Sequence, residues 1–140
     1  MTKTNREKRA SKGKGTKELS GLQVAVMRVL WSRGEATVAE VQAALESERP
    51  LAHNTVATVL TRLWRDGVVA ARKEGRSYVY RPVLEPMQAR RSMVGMLVRR
   101  LFGGRPAALA SHLVREAELD AEDLDELEAL IKAKRKTLPG

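Results

Sequence analysis

Fifteen consecutive residues, LAHNTVATVLTRLWR from Leu51 to Arg65, combine a core-forming stripe with side chains suited to reading nucleic acid. Val56, Val59, Leu60 and Leu63 recur at three- and four-residue spacing, the period of a helix that buries one face. Asn54, Thr55, Thr58, Thr61, Arg62 and Arg65 fall largely off that stripe. Asn can bond adenine through two hydrogen bonds, Thr can bond a base edge or touch a thymine methyl, and Arg reaches guanine or phosphate. Thr and Asn are mediocre helix formers, so a face chosen only for solubility would carry Glu and Lys instead. No acid occurs from Asn54 to Arg65, and nothing on that face would repel a phosphate. His53 stands at the start of this candidate recognition helix.

The flanking sequence supplies elements able to hold such a helix. Ser20 fits an N-cap, followed by a helix from Leu22 to Trp31 with Leu22, Val26, Val29 and Leu30 on its apolar face. Gly34 fits a left-handed C-terminal cap. Glu35 and Ala36 leave room only for a short bridging strand. Thr37 with Glu40 makes a capping box for a helix through Val38, Val41 and Leu45 to about Glu46. Pro50 breaks the loop before the recognition helix, and Asp66-Gly67 stops that helix. Two β-prone runs, Val68 to Lys73 and Ser77 to Arg81, flank Glu74-Gly75 as a hairpin, with Tyr78 and Tyr80 on one face and Val79 on the other. Arg72, Lys73 and Arg76 crowd its tip. Three helices and a basic-tipped hairpin make a winged helix-turn-helix, with the hairpin over an adjacent minor groove or backbone. Trp31 and Trp64 read as core anchors.

Beyond Pro82 the pattern is helical again. One helix is expected from Glu85-Pro86 to about Phe102, broken by Gly103-Gly104; a second runs from Pro106 to Glu116, with Pro suited to the first turn. A third, capped by Asp120, reaches about Lys136, its acidic start and basic end complementing the helix dipole. Leu97, Leu101, Leu109, Leu113, Leu124, Leu127 and Ile131 are more apolar surface than three short helices can bury alone, so a homodimer built on them is expected. The expected architecture is mainly α with a small β-hairpin wing. Its parts are a basic tail over 1–18, a winged-helix DNA-binding domain over 19–83 and a helical dimerisation domain over 84–140.

The 26 Lys and Arg against 17 Asp and Glu give a formal charge of +9, which suits a polyanionic partner. The charge is unevenly placed. Residues 1–18 carry seven bases and two acids, 19–83 nine and six, 84–115 six and one, and 116–140 four and eight. The tail reads either as a solubilising leader or as an arm on the DNA backbone. The acidic C-terminal segment is expected to face solvent or a partner chain. With no cysteine and two distant histidines, His53 and His112, the sequence offers no metal site, and no cofactor is expected. Ser20, Ser77 and Ser111 lack an activating motif, there is no Gly-rich phosphate loop, and the carboxylates cluster on one exposed helix, so catalysis is not expected. No apolar run approaches the roughly 20 residues of a membrane span and no signal peptide is apparent, which makes a cytoplasmic location and no membrane insertion the expectation.

Taken in order, these pieces resemble the penicillinase-repressor family, which includes the beta-lactamase, methicillin-resistance and copper-responsive repressors. The resemblance runs from LQVAVMRVLW (Leu22 to Trp31) through Ala36-Thr37-Val38, Glu40-Val41, Leu51 to Leu63, Asp66-Gly67-Val68-Val69 and Glu74-Gly75-Arg76. It continues with Tyr78, Tyr80, Arg81 and Pro82, then Leu101-Phe102-Gly103-Gly104, Leu109, His112-Leu113-Val114 and Leu124 to Ile131, covering about residues 19–133. It implies a homodimeric repressor on dyad-symmetric, double-stranded operator DNA. Asn54, Thr55 and Thr58 match positions facing bases or adjacent phosphates, Arg62 a phosphate-contacting position, and Arg76 the wing arginine. It also implies a membrane-bound sensor protease as a partner that inactivates the repressor by cutting an Asn-Phe bond. Here the aligned candidate cleavage pair is His112-Leu113. Without cysteine, copper sensing through thiolates is excluded. Two other functions remain compatible with the residues alone: a winged-helix protein-interaction module, and a regulator gated by a small molecule.

Overall fold

The structure is a computed structural model that describes residues 18–139. The basic tail expected over 1–18 therefore lies outside the described residues except for Glu18. Eight elements follow in order: α1 (Gly21–Arg33), α2 (Val38–Leu45), α3 (His53–Arg65), β1 (Val69–Glu74), β2 (Ser77–Pro82), α4 (Pro86–Leu101), α5 (Pro106–Glu116) and α6 (Ala121–Thr137). The chain divides into two compact units, one ending at Met96 and the next beginning at Leu97.

Local capping starts the helices where the sequence expects it. Ser20 and Gln23 exchange side-chain and backbone hydrogen bonds across the first turn of α1, as do Thr37 and Glu40 for α2 and Asp120 and Asp123 for α6. Gly34, at φ +88, ends α1 by donating its N–H to the Leu30 carbonyl at 2.7 Å. α3 begins at His53, two residues later than the helical pattern from Leu51 suggests, after Ala52 in extended conformation with no side-chain cap. The Leu51 carbonyl instead accepts from the Gln42 Nε2, which fixes the loop onto α2.

The first unit is built on one core. Val26, Met27 and Leu30 of α1, Val41 and Leu45 of α2, and Val56, Leu60 and Leu63 of α3 are buried together with Val68, Val69 and Leu84. Burying each such Leu or Val contributes about 1.5–3 kcal/mol. Met27 joins this core although the expected apolar face of α1 omits it, while Leu22 and Val29 are only half-buried against its edge. The α1 surface that meets α2 and α3 is thus rotated from the one the stripe suggests.

β1 and β2 pair antiparallel with Glu74 opposite Ser77, and Gly75 takes φ +63 as the first turn residue. That is where a type II′ hairpin turn needs glycine. Ala36 adds a third, one-residue strand, its N–H and carbonyl each bonded to Tyr80 at 2.9 Å. Tyr80 and Val79 are both buried, whereas Tyr78, on Tyr80's face, is exposed because that face is covered only near the base of the hairpin. Trp31 Nε1 donates to the Leu84 carbonyl at 2.8 Å, tying α1 to the segment that leaves β2. Ala89 and Met93 of α4 pack on the same core. The start of α4 thus belongs to the first unit, whereas the sequence places the whole helix in the second domain.

The second unit consists of the end of α4, α5 and α6. Val98 is buried, Leu109 is half-buried, and Phe102 and His112 place their rings 5.7 Å apart. Leu97, Leu101, Leu113, Leu124, Leu127 and Ile131 are exposed.

Candidate nucleic-acid interface

α3 turns Val56, Val59, Leu60 and Leu63 inward, and the helical period then decides what faces out. His53, Asn54, Thr55, Thr58, Arg62 and Arg65 are exposed, while Thr61 is half-buried. Thr58 Oγ1 donates to the Asn54 carbonyl at 2.9 Å and Thr61 Oγ1 to the Ala57 carbonyl at 2.8 Å. With its proton committed to the backbone, the Thr58 hydroxyl presents only lone pairs outward, beside its methyl group. Thr61 faces the hairpin. Burial pushes the Tyr80 phenol up, and a hydrogen bond with the Thr61 side chain partly offsets this. Half-buried against the wing, Thr61 is less open than Asn54, Thr55, Thr58 and Arg62 on the same helix.

One side of the exposed arc opens into a groove. Asn54, Thr55, Thr58, Val59 and Arg62 line it from α3; Ser20, Leu22 and Gln23 line it from the start of α1. The sequence-predicted residues Asn54, Thr55, Thr58 and Arg62 are thus brought to a single surface. Ser20 and Gln23 are not candidates on sequence grounds, because their capping pattern already explains them locally and only the packing of α1 on α3 adds them to this face.

The wing sorts its three predicted cations. Lys73 and Arg76 are exposed at the tip. Arg72 instead reaches back to Glu35, with Nη1–Oε1 and Nη2–Oε2 both at 2.9 Å, and to Glu74 with Nη2–Oε2 at 2.8 Å. The parallel pair with Glu35 is the fork geometry in which an exposed ion pair is held best. The hydrogen bond from Arg72 holds the Glu35 carboxyl below the usual carboxylate range, and the two carboxylates raise the Arg72 guanidinium above its ordinary value. One cation between two anions offers no net positive charge to a phosphate. Arg72 anchors the hairpin to the segment that follows α1.

The other predicted sites lie in the second unit. The candidate cleavage pair His112-Leu113 sits in the middle of α5 with both residues exposed, and a protease could thread that bond only after local unwinding. The predicted dimerisation residues are exposed except Leu109, which is half-buried. Among the described residues no three His, Asp or Glu side chains gather where they could hold a metal ion, and no helix is long and apolar enough to cross a membrane.

Comparison with known proteins agrees with this geometry. The family described as Penicillinase repressor matches residues 19–133. A "Transcriptional regulator BlaI" of Mycobacterium tuberculosis is 40% identical over 123 residues, covering 79% of this chain and 86% of that one. The "Penicillinase repressor" of Bacillus licheniformis is 24% identical over 115 residues, covering 82% and 90%. Among solved structures, the hsRosR-S4 complex of an H. salinarum protein aligns with a TM-score of 0.51 at 17% identity, over 91% of this chain and 98% of that one, a likeness of fold alone. The family's span takes in both units, from the buried Leu19 to the apolar face of α6. The chain belongs to the penicillinase repressor family of DNA-binding transcriptional repressors.

Proposed function

We propose that the chain represses transcription by binding a dyad-symmetric operator as a homodimer, with α3 in the major groove and the wing tip against the adjacent backbone. The observation that carries this reading is the exposed arc of α3. Asn54, Thr55, Thr58, Arg62 and Arg65 form a surface without a carboxylate, backed by a helix face locked into the core. A rigid helix holding short polar side chains outward is what base-edge recognition needs. Asn54 reads a base, Thr55 and Thr58 contact bases or neighbouring phosphates, and Arg62 contacts phosphate, with His53 at the helix start beside them. Lys73 and Arg76 supply the wing's phosphate contacts, while Arg72 sets the wing's position. The sensor-protease route would act on the second unit at or near His112-Leu113, once α5 opens, and would separate the two recognition helices by dissolving the dimer.

Two recognition helices in such a dimer stand about 34–36 Å apart, one turn of the duplex. Selection of binding sites from random duplexes should return an inverted repeat with that half-site spacing. Asn54→Ala should then flatten the preference at one base pair in each half-site and weaken binding there by about 1–3 kcal/mol per half-site. An unchanged affinity and footprint for the Asn54 variant would remove that residue from the reading set. Failure of the full chain to select any sequence over bulk competitor DNA would remove the function itself.

A further inference from the structure

We propose that the groove between α1 and α3 seats the phosphate backbone of one operator strand, and that Gln23 of α1 donates to a phosphate there beside Arg62. This deepens the reading of α3 as the recognition helix and rests on it. The groove's lining supplies the chemistry. Ser20 and Gln23 border it from α1, Thr55 and Arg62 border it from α3, and Leu22 and Val59 are its apolar part. No carboxylate lines it, and among the described residues Arg62 has no ion-pair partner. Gln23 is half-buried, and its Oε1 accepts from the Ser20 N–H at 3.0 Å. That bond commits the amide oxygen to the cap of α1. The Nε2, with two N–H groups to give, has no acceptor among the described residues. A guanidinium, an amide donor and hydroxyls with no acid among them suit a phosphodiester.

The position of the groove selects backbone over base. An α-helix with its side chains is about 10–12 Å across, and the major groove is about 12 Å wide. α3 fills the groove that it reads, so α1 beside it meets the strand that forms the groove's wall. Thr55, Val59 and Arg62 follow one another at four- and three-residue steps and form the flank of α3 turned toward α1. Thr61 lies on another flank, half-buried and hydrogen-bonded with Tyr80 of the wing. By the helical period, Asn54 and Thr58 stand between these two flanks. One reading ridge is thus bracketed by the wing on one side and by the α1–α3 groove on the other, a backbone seat for each strand.

The test pairs variants of the full chain with chemically altered DNA. Gln23→Glu keeps an oxygen for the Ser20 N–H, since Glu closes a capping box as Gln does, but turns the outward donor into an anion. Its unfolding midpoint should match the wild type, and its affinity for the duplex selected by the full chain should fall at least about tenfold. Each phosphate of a half-site is then replaced singly by an uncharged methylphosphonate. For the wild type, one substitution on the α1 side of each half-site should weaken binding. For Gln23→Glu and for Arg62→Gln that same substitution should cost little, whereas substitutions on the wing's side should weaken all three proteins alike. The sequence selected by Gln23→Glu should stay the same. Wild-type affinity for Gln23→Glu would overturn the proposal. So would a weakened variant that keeps the wild-type penalty at every phosphate, or one that selects a different base. A wild-type scan with penalties on the wing's side alone would overturn it too, whatever the variants do. A full chain that selects no sequence at all sinks the recognition-helix reading together with the groove, whereas intact selection with no phosphate sensitive to Gln23 sinks the groove alone.

Discussion

Two arginines four positions apart in the wing illustrate why charge type alone does not assign a DNA contact. Arg76 sits exposed beside the Gly75 turn, whereas Arg72 is gripped by Glu35 and Glu74. Counterion release counts only cations that neutralise phosphate, so the two should separate in a salt titration. Arg76→Gln is expected to reduce the log–log slope by about 0.9 for each wing that no longer neutralises a phosphate, with equal weakening on cognate and non-cognate duplexes. Arg72→Gln should leave the slope unchanged, while lowering operator affinity because the hairpin loses its anchor to Glu35. If Arg72→Gln lowers the slope as far as Arg76→Gln does, Arg72 exchanges its carboxylates for phosphate on binding and the positioning role is wrong. The side chains of α3 invite the same distinction. Thr58 and Thr61 make similar hydrogen bonds to their own helix, but Thr58 looks out over the groove and Thr61 into the wing.

At the scale of elements, the contact between Glu35 and Arg72 makes the wing's attachment sensitive to acid. The Glu35 pKa in the folded chain lies below its ordinary value of 4.5, chiefly through the hydrogen bond from Arg72. A depressed carboxylate pKa contributes stability that is present above the unfolded value and disappears as pH falls through the folded one. Acidification below about 4.5 should therefore lower the thermal midpoint, and Glu35→Gln should make that decline shallower while lowering the midpoint at neutral pH. Glu40, held below 4.5 mainly by the backbone hydrogen bond at Thr37, adds to the same acid sensitivity, so a slope remains in the Glu35 variant. An identical pH profile for the wild type and the Glu35 variant would show that the pair contributes nothing to the fold. This ion pair also marks the limit of what the sequence discloses. Its partners are 37 positions apart and nothing local links them. Caps at Ser20, Thr37 and Asp120 are legible because each is a capping residue type just ahead of an apolar helical pattern, and Glu40 closes the box at Thr37; the closing roles of Gln23 and Asp123 come from the structure. The two-faced character of α3 is legible because core and polar positions segregate around it. The start of α3 is not, since Ala52 offers no side-chain cap, and neither is Met27, whose burial depends on where α2 and α3 pack. The alternation of the tyrosines is readable, but the Ala36 bridge, which the sequence does not register, pairs with Tyr80, the covered one, and not with Tyr78.

For the molecule as a whole, the second unit presents a surface that a lone chain leaves in water. Leu101 is 71% exposed, Leu130 60%, Ile131 57% and Val114 53%, values far from those of the first unit's core. Apolar area of this kind, contributed by helices carrying the same stripe in every copy, is best removed by a two-fold partner that meets it with itself. Residues 116–140 hold eight acids and four bases, a segment that DNA would repel. Pairing also has a thermodynamic consequence for recognition. In the proposed dimer, once one half-site is bound, the second copy of α3 would face its own half-site at a high effective concentration, so operator affinity would exceed that of either half alone. Replacing Leu127 and Ile131 together by Asp should therefore halve the mass measured by sedimentation and sharply weaken binding to the full operator. Affinity for an isolated half-site duplex should change little, because the core beneath α3 is untouched, and the unfolding midpoint of the first unit should remain. A wild-type chain that sediments as a monomer at micromolar concentration, or a double variant that stays dimeric, would place the dimer contact elsewhere or abolish it. Loss of half-site binding in a variant that is still folded would show instead that the second unit shapes the reading surface directly, and the bivalent account would fail.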